Sequence, residues 1–440
     1  MPEIVTTVPT TTVMAAVAQP SATPAPTNTA TSEPTATSVP TDKPTPTPTE
    51  TAEPTDTPTP EPPTATPAPE APTNTVTPEE TPDPPDPTPT TAPPTSSPDS
   101  VHNSFAYGIQ VDHGGDPKAN IGHLNTLGIE WVKFQVPWKQ VEPHENVRNW
   151  DKWDHLVRAY HDAGFKILLS VVKAPDWARP AGTDLSQEGP PADPITYARF
   201  VGELASRYKG GVQAIEVWNE QNLAREGGGS PMPPEDYVAL LSTAYQAIKT
   251  ADPSIIVVSG GPTPAGDVPG AARDDINYLN AMYAAGLKDV SDAIGVHPSG
   301  YNCPAAADWR TVTDPNAFFR GPFDNRHHSW CFRGTMEGYR NVMLANGDAD
   351  KSLWPTEFGW AVAHMPQAGY EYAADNTLEE QASWIIEAYQ QAQAWGWVGP
   401  MFLWNLDYGI THPGSELAAF GILTPHGPVP AYNVLANIPK

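Results

Sequence analysis

Ala214-Ile215-Glu216-Val217-Trp218-Asn219-Glu220-Gln221-Asn222 opens as an apolar, β-branched run behind the Gly210-Gly211 pair and ends in an Asn-Glu step. A short run of this kind, bounded by a turn signal, predicts a buried strand over 212–219 with a carboxylate just past its carboxyl end. A second run, Leu353-Trp354-Pro355-Thr356-Glu357-Phe358-Gly359-Trp360, has the same character and predicts a strand over 353–357 that ends on Glu357. Around these two the pattern repeats. Strands are predicted over 105–112, 131–136, 166–172, 255–259, 293–297 and 399–406, and helices over 118–127, 150–163, 194–208, 234–250, 275–285, 336–346 and 378–395. Gly128 and Gly164 supply helix stops, and Pro233-Pro234 a helix start. Eight apolar strands separated by crossover helices require a parallel sheet covered on both faces. At this length eight repeats favour an α/β fold of the closed (β/α)8 TIM-barrel type over an open doubly wound sheet. No Gly-x-Gly-x-x-Gly opens a helix, which argues against a dinucleotide-binding fold.

The composition of the 440 residues divides near residue 100. Residues 1–101 are Thr/Pro-rich, and the first hundred contain no Phe, Trp, Tyr or Gly. Ordering such a segment costs roughly 1–2 kcal/mol per residue in backbone entropy with little apolar surface to offset it, so a disordered linker or stalk is expected. Its Thr and Ser beside Pro match the composition of O-glycosylated stalks. Residues 102–440 hold all 14 tryptophans and suffice for one large domain.

Net charge is -27, with 13 acids and one lysine in the first hundred residues. That balance argues against nucleic acid or an anionic membrane as the partner and is compatible with a neutral polymer. No apolar run reaches the length of a transmembrane helix. Val13-Met14-Ala15-Ala16-Val17-Ala18 resembles the tail of a secretory signal without its basic leader, and both that reading and plain stalk stay open.

In a barrel of this kind, groups that carry chemistry sit at the carboxyl ends of the strands. Glu220 and Glu357 both fall there. Two carboxyls at one mouth can divide the cleavage of a glycoside, one protonating the leaving oxygen while the other attacks the anomeric carbon or activates water. Glu216 shares the strand parity of Glu220 and is expected to face the interior more deeply, as a hydrogen-bonded structural acid. Trp138 and Lys173 close the second and third strands, where they could contact sugar hydroxyls.

Trp218-Asn219-Glu220 after one strand and Thr356-Glu357-Phe358-Gly359-Trp360 after another resemble the paired signatures of clan A glycoside hydrolases, nearest to families 39 and 5. The likeness spans 102–440. It implies a retaining β-glycosidase in which Glu220 is the acid/base and Glu357 the nucleophile, with Asn219 holding the sugar 2-hydroxyl. It further implies that His297 or Tyr301 orients the nucleophile and that Trp404 forms an aromatic platform under the sugar. Two other readings use the same scaffold. One is a barrel that holds glycan without cutting it, which would have no need of both glutamates. The other is a transglycosylase, which differs in how well it excludes water.

Cys303 and Cys331 are the two cysteines. With a stalk pointing outside the cell, a disulfide between them is expected, and so is an extracellular or cell-surface location with the stalk as tether. His327-His328, His364 and His412 sit on different predicted loops without ligand spacing, so neither a metal centre nor a cofactor is expected. The expected partner is carbohydrate, acted on by a monomer.

Overall fold

The computed structural model describes residues 104–312 and 327–440. The Thr/Pro-rich segment expected to be a stalk lies outside the described residues. Strands β1 (Ala106–Gln110), β2 (Trp131–Pro137), β3 (Lys166–Val172), β4 (Ala214–Val217), β5 (Ile256–Ser259), β6 (Ile294–Val296), β7 (Leu353–Pro355) and β8 (Pro400–Leu403) alternate with helices. These are α1 (Pro117–Leu127), α2 (Asp151–Asp162), α3 (Pro194–Arg207), α4 (Pro234–Ala251), α5 (Asp275–Ala284), α6 (Phe332–Ala345), α7 (Leu378–Trp395) and α8 (Pro430–Asn437).

Six strands form one parallel sheet in the order β5-β4-β3-β2-β1-β8, and β6 pairs in parallel with β7. Parallel bridges between Val258 and Ala293 on one side, and from Leu353 to Val398 and Phe358 to Leu403 on the other, join the two pieces. The strands thereby curl into a TIM-barrel-like fold. Helix ends follow local chemistry. Asp116 caps α1 by accepting from the Lys118 N–H at 2.9 Å, and Gly128 stops it in the left-handed conformation (φ 64°). Thr377 and Glu380 form a reciprocal capping box on α7.

Strand alternation sorts the core into two shells. Ile109, Val132, Phe134, Ile167, Leu169, Ile215 and Val257 face the helices. Ala106, Trp131, Leu168, Ala214, Ile256, Trp354 and Phe402 belong to a separate cluster that fills the barrel floor, with Trp131 edge-on to Trp354 at 5.4 Å. Burying each large apolar chain contributes about 1.5–3 kcal/mol. Gly108 is required on this floor, since a Cβ there would stand 2.7 Å from the Phe402 ring. Cys303 and Cys331 are buried as a pair with Cα atoms 5.9 Å apart. Among the described residues no helix is long and apolar enough to cross a membrane.

Candidate active site

Above the apolar floor the barrel interior becomes charged. Lys133 on β2 and Glu216 on β4 are wholly buried, with Lys133 Nζ 3.0 Å from Glu216 Oε2. The same ammonium donates to Glu357 Oε1 at 2.9 Å and to the Thr356 carbonyl at 3.1 Å. Glu216 therefore takes the deep structural position expected of it. Beyond β4, Glu220 Oε1 lies 3.1 Å from His297 Nδ1, and its Oε2 accepts from Arg225 at 2.5 Å. His297 Nδ1 is also 3.7 Å from Glu357 Oε2. A carboxylate oxygen of Glu220, a His297 nitrogen and a carboxylate oxygen of Glu357 lie within 4.8 Å of one another.

The chain is bent to achieve this. Among described non-glycine residues, positive φ occurs at Lys173 (59°), Trp218 (70°), Glu220 (40°) and Tyr301 (49°), all past the carboxyl ends of β3, β4 and β6, and at Asn146 in a turn. Such angles are costly for L-residues and cluster where a side chain has to be aimed. They also explain why β4 ends at Val217 rather than at 219.

Three carboxylates, Lys133 and His297 share one desolvated space, with the partly exposed Arg225 at its rim. For Glu220, burial raises the pKa, but the Arg225 guanidinium and His297 outweigh it and bring it to about 2. Glu216 is similarly brought to about 2, with burial opposed by Lys133 and His297. Burial keeps the Glu357 carboxyl above its ordinary value in spite of Lys133 and His297. His297 rises to about 9, because Glu357, Glu216 and Glu220 together overcome its burial. With an imidazolium there, three positive charges balance three negative ones.

Glu220 is 0% and Glu357 2% exposed, so the pair is covered in this conformation. Phe420, Trp404 and Ser299 line the small cavity over it. Several polar atoms here are buried without a hydrogen bond, including Asn219 Oδ1, Glu357 Oε2 and Trp404 Nε1. Buried polar atoms are nearly always satisfied, so these three are groups that a bound polar molecule could satisfy, as are others elsewhere in the domain.

The structure distributes the remaining sequence candidates unevenly. Trp404 flanks the glutamates and leans on Tyr408 at 5.0 Å. Of the two β6 candidates, His297 reaches the carboxylates, whereas the Tyr301 hydroxyl donates to the Pro264 carbonyl at 3.1 Å. Trp138 is corrected to a core residue. Its ring stacks on Phe200 at 5.4 Å and its Nε1 donates to Glu142 at 2.8 Å, because Pro137 turns the chain into a helical turn that swings the indole between β2 and α3. Lys173 is buried with Nζ 3.9 Å from Glu188. Beside it Glu226 is raised by burial to about 7 although Lys173 opposes the shift.

Lys133 and Arg225 were not among the sequence candidates. For Lys133 a signal exists, since a lysine inside Trp131-Val132-Lys133-Phe134 on a strand buried on both faces has to meet a carboxylate. The histidines lie at separate places, His364 exposed, His412 3.6 Å from Asp112, and the adjacent His327 and His328 both beside Asp274. A broad surface hollow lined by Asp154, Arg158, His161 and Arg207 lies away from these residues and contains none of them.

No protein-family model matches the sequence, and no curated protein does. Solved structures resemble the fold. They include a family 39 glycoside hydrolase from Bacteroides cellulosilyticus (TM-score 0.56, 19% identity, 77% of this chain and 63% of that one). A glucosidase from Croceicoccus marinus gives 0.52 at 15% identity, over 76% of this chain and 66% of that one. A broad-specificity endoglucanase of family 5 from Clostridium longisporum gives 0.52 at 13% identity, over 78% and 98%. The chain thus spans less than two thirds of the length of the first two. At these identities the likeness is one of fold, the TIM-barrel-like arrangement that the chain shares with these structures.

Proposed function

We propose that the protein is a retaining β-glycoside hydrolase acting on a polysaccharide or oligosaccharide. The observation that carries this reading is the approach of Glu220 and Glu357 oxygens to within 4.8 Å beside unsatisfied Asn219, Glu357 and Trp404 atoms. Carboxyl groups about 5–5.5 Å apart suit retention, whereas inversion needs about 6.5–9.5 Å to admit a water between them.

In the first step Glu357 attacks the anomeric carbon, the bond to the leaving oxygen breaks, and that oxygen takes the proton of Glu220. In the second, Glu220 removes a proton from water as the water oxygen displaces Glu357 from the sugar. Lys133 and His297 hold Glu357 in position, and Asn219 and Trp404 meet the sugar. Glu220 can act as an acid only after Arg225 leaves it, because the ion pair keeps it ionised. Opening of the mouth and departure of Arg225 therefore belong to substrate entry. An extracellular location with a Cys303–Cys331 disulfide, and action without a cofactor, complete the proposal.

The test is turnover of a panel of β-linked polysaccharides and aryl β-glycosides by the full chain. Glu357→Gln is expected to abolish turnover of every substrate. Glu220→Gln is expected to slow substrates with poor leaving groups far more than activated aryl glycosides. Equal losses on both substrate types would overturn the roles, and full activity in Glu357→Gln would overturn the reading.

A further inference from the structure

Beside the barrel mouth, the loop after β7 and the loop after β8 enclose a hollow of about 250 Å³ that the reaction as proposed does not use. Val362 and Ala419 supply small apolar walls, and Met365, 92% exposed, forms an apolar lip. Gln367, Tyr370 and Glu416 bring hydrogen-bonding groups to the same space. The two loops are fastened to each other. The Val362 N–H donates to the Ala419 carbonyl at 2.9 Å, and Gln367 Nε2 donates to the Gly414 carbonyl at 3.0 Å.

Glu416 is only 6% exposed, and its Oε1 is buried without a hydrogen bond. Other buried carboxylates with an unsatisfied oxygen stand beside a compensating group: Glu216 and Glu357 at Lys133, Asp275 at His328, Glu226 near Lys173. Glu416 makes no ion pair among the described residues. A desolvated carboxylate without a partner is costly, and this one lines a formed hollow through which a donor can reach it. It stands on the 3₁₀ turn Glu416–Phe420, whose far end, Phe420, covers Glu220 and Glu357. Tyr370 is in hydrogen-bonding contact with Arg225, the partner of Glu220, and lies within the field of Glu416. Phe420 and Tyr370 thus stand between the hollow and the two glutamates of the mouth.

We infer that this hollow is a subsite for a further sugar unit of the substrate, one of whose hydroxyls donates to Glu416, so that the enzyme prefers chains to single glycosides. The inference rests on the glycosidase reading. The volume of about 250 Å³ falls just under the ~300–1,000 Å³ of pockets that hold larger ligands, which fits one ring rather than several. A sugar ring has C–H faces and hydroxyl edges. Val362, Ala419 and Met365 meet the faces, and Glu416, Tyr370 and Gln367 meet the edges. A metal cation would find one carboxylate in this lining and no second anionic ligand, which leaves a hydroxyl-bearing ring as the fitting donor.

The test is calorimetric binding of β-linked gluco-, xylo- and manno-oligosaccharides, from disaccharide to hexasaccharide, to the full chain carrying Glu357→Gln, alongside kcat/KM on the same series in the active chain. The expected result is a step in affinity of about 10- to 100-fold, the worth of a hydrogen bond to a charged group, at the length that reaches the hollow. Glu416→Gln should remove most of that step, measured relative to the disaccharide in the same variant. So should Ala419→Leu, which fills the hollow and leaves the acid in place. Binding of the disaccharide reports that each variant is folded. No step with length, or a step that survives in either variant, would overturn the subsite while cleavage by the active chain keeps the glycosidase reading standing. Failure of the active chain to cleave any β-linked glycoside would overturn that reading and this inference with it.

Discussion

Lys133 on β2 donates to Glu357, which follows β7, at 2.9 Å and at the same time bridges to Glu216 on β4 at 3.0 Å. One ammonium thus compensates two buried carboxylates carried by strands on either side of it. Removing it strands both charges. Lys133→Met is expected to destabilise the domain by about 3–5 kcal/mol, with Lys133→Met/Glu216→Gln recovering part of the loss. Chemical denaturation checks this, and a single variant as stable as the parent would show that the buried pairs do not hold the barrel.

His297 carries the pH dependence of the same network on its alkaline side. Its pKa rises on folding from 6.5 to about 9, so its contribution is fully present below about 6.5 and is lost as pH climbs through 9. A rise of this size corresponds to about 3 kcal/mol. Denaturation at pH 6 and pH 9.5 should show that loss in the parent and a much smaller one in His297→Gln. Parallel curves for the two proteins would contradict it.

Arg225 sets the acidity of Glu220. Its ion pair helps bring that carboxyl down to about 2, so Arg225→Gln should raise it, by about 1–3 units where one opposite charge is withdrawn. Catalysis as proposed needs Glu220 protonated, so the basic limb of the kcat/KM profile should move to higher pH in the variant. An unmoved limb would mean that Arg225 already stands clear of Glu220 in the working enzyme.

Much of the scaffold was legible in the sequence, because strands buried on both faces leave continuous apolar runs and each crossover helix leaves a 3.6-residue period. Glu220 and Glu357 could be placed for the same reason, since both follow directly from a strand end. What escaped was set by distant contacts. Lys133 has its partners 83 and 224 residues away, and Arg225 acts through a four-residue helix, Ala224–Gly227, with no periodicity to read. Trp138 shares the strand-end position of Glu220 and Glu357 but is turned into the core by the helical turn after Pro137. Asp274 and Asp275, at the start of α5, meet His327 and His328 from an irregular segment, which has no register from which convergence can be inferred.

The cysteine pair gives a separate stability test. Its separation of 28 residues closes a loop that the chain-entropy relation values at about 3–4 kcal/mol. Cys303→Ser/Cys331→Ser should therefore melt well below the oxidised parent and close to the reduced one. Identical melting of all three would show that no bond forms in solution.

The most direct measurement is proton NMR of the first product released from a β-linked substrate, taken before mutarotation. Double displacement by Glu357 and Glu220 predicts that the β-anomer appears first and the α-anomer grows in later. The α-anomer appearing first would mean single displacement, and would contradict the pairing of these two glutamates as nucleophile and acid/base.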